Sequence, residues 1–307
     1  MSKRRRKGRA VSGWLALDKP EGVTSTRALA EVKRLFDAAK AGHAGTLDPI
    51  ASGILPIALG DATKTVPFVM DARKVYRFSV RWGTETTTDD AEGAPSAHSD
   101  RRPTAAEITA MLGRFTGEIM QAPPAFSAIK IEGERAYDLA RGGEPVTTEP
   151  RPVCVYRLAL VAQPDDDTAV FEAECGKGTY VRALARDLGR ALGTCGHVSA
   201  LRRLAVGPFD EATAVGLSAL REIAASEGPA GCDRLLFPID IALGDIAAVT
   251  VGNQAAMRIA RGQPVLIRGT QIPPPGPAYA ISEGRTIAIG EVAAGEFRPK
   301  RVFGQGR

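Results

Sequence analysis

The 307-residue chain is poor in the residues that build metal and disulfide frameworks, with only four cysteines and three histidines. Cys154, Cys175, Cys195 and Cys232 stand about 20 or more positions apart with no C-x-x-C pair. A structural zinc site or disulfide scaffold is therefore not expected. No apolar run approaches the roughly 18 residues that span a bilayer. The basic start MSKRRRKGR is followed by VSGWLALDKP instead of a hydrophobic signal core, so a cytoplasmic protein is expected. Neither sign of charge dominates, because 40 Lys plus Arg against 35 Asp plus Glu leave a net +5. Six of the basic groups fall in the first nine residues, which makes much of the excess local. A hydrophobic share of 44% and a charged share of 24% exclude a disordered or fibrous chain. The length suits one large domain, or one large and one small domain.

What is present begins with a short strand and turn, GWLALDKPEGVTS, after which Thr24 or Ser25 can cap a helix that carries Ala28, Leu29, Val32, Leu35 and Phe36 on one face. From Val75 the pattern turns to period two, with Tyr76, Phe78, Val80 and Trp82 alternating against polar residues, the clearest strand in the chain. A polar loop from Gly83 to Pro103 leads to a capping box at Thr104 and Glu107, opening a helix with Ile108, Met111, Leu112 and Phe115 inward. Residues 121 to 147 mix prolines, glycines and basic residues with a short helical piece around Ala136 to Arg141, and read as an excursion from the core. Strand patterns at Val153 to Ala162 and Ala169 to Cys175 run into GKGTYVRALARDLGRAL. There Thr179 can cap a helix that buries Val181, Leu184, Leu188 and Leu192. Arg182, Arg186 and Arg190 share one face of that helix. Beyond about residue 245 come short strands, a small helix around Gln254 to Arg261, the turn-rich PPPGP at 273 to 277 and a basic final strand, FRPKRVF. Helices and strands alternate without a regular βαβ rhythm, so a mixed α+β fold is expected.

The most tightly specified stretch is AGHAGTLDPIASGILPIALGDATK, Ala41 to Lys64. Gly42, Gly45 and Gly53 permit backbone geometries that other residues resist, and Pro49 biases Asp48 toward an extended conformation. An isolated Asp-Pro is most often a structural brace of a turn. A phosphate-cradling loop would need a glycine run ending in G-K-[ST], whereas this stretch reads G-T-L-D-P. A paired-carboxylate glycosidase finds no second acid between Asp48 and Asp61, which leaves open one distant in sequence. A lone aspartate can still act covalently or as a base at a sugar carbon.

GHAGTLDPIASGILPIALGDATK resembles the signature of the TruB family of bacterial tRNA pseudouridine-55 synthases. LDKPEGVTS, the Lys74–Tyr76 strand start, SAIKIEGERAYDLAR, CGKGTYVRALARDLG and HVSALRRLAVG extend the likeness over most of residues 13 to 209. The resemblance implies a mainly antiparallel central sheet flanked by helices over 11–245 and a mobile thumb-like insertion at about 120–147, while the charge at 1–10 reads as a basic arm. RGQPV, YAISEGRTIAIGEV and RPKRVF more weakly resemble a small β-barrel-like PUA domain over 246–307. Isomerisation of uridine 55 in the tRNA T-loop is implied, with neither metal nor cofactor, and nothing in the sequence demands more than a monomer.

Carried over position by position, Asp48 matches the family's essential aspartate, Tyr76 the aromatic residue that stacks on the target uracil, and Arg182 the arginine paired with that aspartate. His43 matches a residue that fills the space of the flipped base, and Leu201 an apolar residue of the pocket wall. Lys19, Pro20, Asp90, Lys130, Arg141 and Tyr180 match substrate-binding positions, although the D-T pair expected before Asp90 reads Thr87-Thr88. Asp48 would act either as a nucleophile at C1′ or as a base toward the 2′ proton, and an adjacent guanidinium would favour the ionised carboxylate that both roles need. The basic arm, the segment holding Lys130, Arg135 and Arg141, and the Arg182-Arg186-Arg190 face offer charge for RNA phosphates. A guide-RNA-dependent relative that modifies other RNAs, and a T-arm chaperone without chemistry, are the alternatives.

Overall fold

The computed structural model describes residues 8–126, 130–131, 134–135, 148–267 and 272–304. Two sheets organise them. The larger has ten strands, and its main path runs Val215–Gly216, Gly13–Lys19, Ala51–Leu59, Gly196–Val206, Lys74–Trp82, Thr168–Cys175, Arg151–Asp165, Gly117–Gln121. Only two of its pairings are parallel, Gly13–Lys19 with Val215–Gly216 and Ala51–Leu59 with Gly196–Val206. The sheet is thus mixed and mainly antiparallel, as the family resemblance implies.

The period-two strand Lys74–Trp82 lies in the middle of this sheet. Phe78 stacks on Phe171 of the neighbouring strand with ring centroids 5.4 Å apart, and Trp82 meets the same ring edge-on at 6.2 Å. Helix Ser25–Leu35 lays Ala28, Val32 and Leu35 into the same core, and helix Val181–Ala191 adds Val181, Leu184 and Leu188. Each large apolar side chain so buried is worth about 1.5–3 kcal/mol relative to exposure.

The capping box at Thr104 and Glu107 is formed, and helix Ala105–Met111 buries Ile108. Two local expectations change. The stretch from Gly83 to Pro103 is not all loop, since Thr84–Thr86 and Pro95–His98 pair as a small hairpin. Thr179 does not cap the following helix: Tyr180 is the N-cap, and the Gln121 side-chain amide accepts from its N–H at 2.8 Å and donates to its carbonyl at 3.1 Å. At the first helix, Thr24 is the cap, and Ser25 is freed for a different task.

The second sheet, five strands between Ala247 and Val302, packs its own core of Val249, Ile259, Val265, Ala278, Ala280, Ala288, Val292 and Phe297. It fits the small β-rich PUA-like unit. At the junction Leu243, Ile289 and Phe303 form a cluster with Phe68 and Tyr279. Lys64 bridges Asp61 and the Val302 carbonyl at 2.7 and 2.8 Å, and Asp61 accepts from Gly304 N at 2.5 Å. The GDATK end of the long glycine-rich stretch is therefore a seat for the C-terminal residues.

Lys130–Ile131 and Glu134–Arg135 pair as a short ladder. The helical piece expected at 136–141, Arg141, and residues 1–7 of the basic arm lie outside the described residues, as does the side chain of Lys130. No helix among the described residues is long and apolar enough to cross a membrane.

Candidate active site

Strand Ala41–His43 pairs with Ala51–Leu59, and the loop between them carries Leu47, Asp48 and Pro49. That loop is fixed from both sides. The buried Ser25 hydroxyl accepts from Leu47 N at 2.8 Å and donates to Leu47 O at 2.9 Å, so the residue before Asp48 is held reciprocally. Pro49 O accepts from Gly22 N at 2.8 Å, tying on the turn that follows Lys19. Lys19 itself is fully buried and donates to the carbonyls of Pro20 and Val23 at 2.9 and 2.7 Å. Burial pushes its ammonium pKa down, and Asp48 opposes that shift. Lys19 thus shapes the loop bearing the exposed Pro20.

Asp48 Oδ2 lies 3.0 Å from Arg182 Nε, with the Arg182 side chain 7% exposed and Asp48 38% exposed. The arginine is buried and the carboxylate is reachable. Arg182 also donates to Thr88 O at 2.9 Å and Phe126 O at 3.0 Å, and its Nη1 lies 3.4 Å from Asp90 Oδ2. These four contacts satisfy its planar fork and leave it little freedom. Asp90 is the acid distant in sequence that local spacing leaves open. It is buried, and its Oδ1 accepts from the Thr88 hydroxyl at 2.5 Å and Glu92 N at 3.1 Å.

The shared arginine face has a different use from the one its charge suggests. Arg186 Nη1 pairs with Asp89 at 2.9 Å, and Arg190 grips Glu85 through two bonds of 2.8 and 2.7 Å. The three arginines form a ladder that fastens the 84–93 segment to the helix, and their guanidinium groups are already engaged by carboxylates. Arg9 of the basic arm is likewise paired, with Asp233. Arg186 also pairs with its neighbour Asp187 at 2.8 Å, but the carboxylates of Glu85, Asp89 and Asp90 lie about 100 residues away, which no local pattern reveals.

Tyr76 sits on the central strand against the main core, across from Arg203 and Ala173. Burial pushes its hydroxyl pKa up, while Arg203, hydrogen-bonded to it, pulls the other way. Half-buried His43 is held neutral, its pKa lowered by burial and then by Arg203, and its Nδ1 is buried with no hydrogen-bond partner among the described residues. Leu201 is 8% exposed in the core and registers with Ala51 and Phe78. Two residues that sequence reading passed over belong here. Arg203 is 1% exposed beneath the Asp48 loop, and exposed Glu92 has its carboxyl pKa raised by partial burial and then by Asp90 and Asp48. Among the described residues, no group of three or more His, Cys, Asp or Glu is arranged to hold a metal ion.

Residues 33–181 match the model of the TruB family pseudouridylate synthase N-terminal domain, and residues 182–244 that of the tRNA pseudouridylate synthase B C-terminal domain. The chain belongs to the TruB family. The boundary between the two matches falls between Val181 and Arg182, beside the Asp48–Arg182 pair, and both segments contribute strands to one sheet. Proteins named tRNA pseudouridine synthase B resemble the chain over nearly all its length. That of Bradyrhizobium diazoefficiens is 59% identical, covering 97% of this chain and 88% of the relative. That of Agrobacterium fabrum is 55% identical, covering 98% and 97%. Among solved structures, a chain of a Cbf5-Nop10-Gar1 complex is similar with a TM-score of 0.71 at 26% identity, covering 91% of this chain and 78% of that one. A chain of an H/ACA RNP bound to a substrate RNA containing 2′-deoxyuridine shares the fold, with a TM-score of 0.74 at 23% identity over 99% and 92%.

Proposed function

We propose that this TruB-family pseudouridine synthase isomerises uridine 55 in the T-loop of tRNA, in the cytoplasm and as a monomer, with Asp48 acting at the ribose. The observation that carries the reading is the reachable Asp48 carboxylate held 3.0 Å from a buried, fully committed Arg182. The reaction breaks the bond from C1′ to the base nitrogen, turns the uracil, and joins C1′ to its C5, so nothing is consumed. Asp48 either adds to C1′ as the base departs or takes the 2′ proton. In both steps it must be an ionised acceptor in a fixed place, and the Ser25, Gly22 and Arg182 contacts supply the place.

The target nucleotide has to leave its stack, at a cost of a few kcal/mol. Stacking on Tyr76 offsets about 1–3 kcal/mol of that. Neutral His43 fits the gap left in the loop, and Leu201, Tyr180 and Pro20 complete the pocket wall. Lys130 and Arg141 are assigned to the RNA backbone, and the PUA-like sheet to further RNA contact.

The tRNA reading is favoured over the guide-dependent one by degree of likeness. Full-length relatives at 55–59% identity carry the tRNA synthase name, against 23–26% for the chains from the Cbf5 and H/ACA structures. The experiment is pseudouridine mapping of an unmodified tRNA transcript after treatment with the purified protein, beside a transcript with cytidine at position 55. A single new pseudouridine at 55, absent from the control, supports the reading. Pseudouridine elsewhere, or none without a guide RNA, overturns it.

A further inference from the structure

We infer that Arg203 is a positioning residue for the reaction, locking the Asp48 loop and the Tyr76 ring into one rigid unit. The inference rests on the roles proposed above for Asp48 and Tyr76. Arg203 donates from Nε to Ile54 O at 2.7 Å, from Nη1 to Thr46 O at 3.4 Å and from Nη2 to Gly45 O at 3.2 Å. It also hydrogen-bonds the Tyr76 hydroxyl. One guanidinium therefore touches both ends of the turn that presents Asp48 and the ring that would receive the uracil.

A buried charge without a counter-ion is costly. Arg203 is 1% exposed and forms no ion pair with a carboxylate among the described residues, while the acid whose field reaches it is Asp48. Its retention on the buried face of a strand, two residues from Leu201, therefore needs a reason other than stability. Its hydrogen bonds supply one, since the guanidinium holds carbonyls on both sides of Asp48, Gly45 and Thr46 before it and Ile54 after it. A lysine ammonium, with three donors at one point, cannot span the same four acceptors.

The test compares Arg203→Lys, Tyr76→Phe and the double variant with wild type, by single-turnover pseudouridine formation in a T-arm stem-loop RNA, by affinity for that RNA, and by thermal unfolding. Arg203→Lys is expected to fold, to bind the RNA within about threefold of wild type and to react about 100-fold more slowly, the scale of a roughly 1 Å misplacement. Its effect is expected to shrink several-fold in the Tyr76→Phe background, where the shared hydroxyl is gone. A purely structural arginine would lower the melting temperature with no such coupling. Retention of the wild-type rate by Arg203→Lys, or loss of affinity in step with rate, overturns the inference. If Arg203→Lys does not fold, Tyr76→Phe alone decides: it keeps the ring and deletes the hydroxyl, and an unchanged rate overturns the inference. A wild-type protein that makes no pseudouridine overturns the functional reading, and the role of Arg203 with it.

Discussion

Removing the Ser25 hydroxyl should disconnect Asp48 from the scaffold without touching any group that meets RNA. Ser25 is 3% exposed and Leu47 is 4% exposed, and their two hydrogen bonds, 2.8 and 2.9 Å, have no water to replace them easily. In Ser25→Ala a buried N–H and a buried carbonyl of Leu47 lose their partner, each at about 1–3 kcal/mol before relaxation. Partial rearrangement brings the expected loss of stability to roughly 2–4 kcal/mol. Because Asp48 is the next residue, a displacement of about 1 Å is expected to cut the single-turnover rate about 100-fold. RNA affinity should be unchanged, since neither group faces solvent. Thermal unfolding and single-turnover pseudouridine formation on a T-arm stem-loop measure the two effects. A Ser25→Ala protein within about 0.5 kcal/mol of wild type and with its full rate would show that this bond pair does not hold Asp48.

Asp90→Asn keeps the acceptor for Thr88 and Glu92 but removes the charge beside Arg182. A charge-assisted contact of about 1.5–3 kcal/mol corresponds to a rate about 10–100-fold lower at unaltered affinity, read by the same assay. Lys74 is buried, donates to Met70 O and Ala72 O, and has its pKa lowered to about 8. The unfolded chain then binds the proton more tightly than the folded one, so stability should rise as pH climbs from about 8 to the usual lysine value, by up to roughly 3 kcal/mol. Denaturant unfolding across that window should show the rise in wild type and a flatter profile in Lys74→Met. Asp61→Ala should loosen the C-terminal seat, with faster amide exchange at Phe303 and Gly304 and a loss of about 1 kcal/mol.

Much of the fold is legible in the residues because local chemistry dictates it. The alternation of Tyr76, Phe78, Val80 and Trp82 marks a strand wherever it lies, and Thr104 with Glu107 forms its box from side chains three apart. Asp48 stands out by the constraint around it. Partners brought close only by the fold leave no such local mark. Arg182, Arg186 and Arg190 look like a free basic face until Glu85, Asp89 and Asp90 meet them. Thr179 is a reasonable cap by residue type until Gln121 takes the Tyr180 backbone. Arg203 does leave a signal: in the strand around Leu201, period two puts Arg202 outward, where it pairs with Asp18 and Glu211, and Arg203 inward among apolar side chains. A charge at an inward strand position costs stability, and that cost marks the residue as a candidate for the site.

The most direct test of the central claim is Asp48→Asn, which keeps the size of the side chain and removes its capacity as nucleophile or base. This variant is expected to bind T-arm RNA within about twofold of wild type and to form no pseudouridine over a long incubation. Product made by Asp48→Asn at a rate close to wild type would contradict the claim that this carboxylate carries the chemistry.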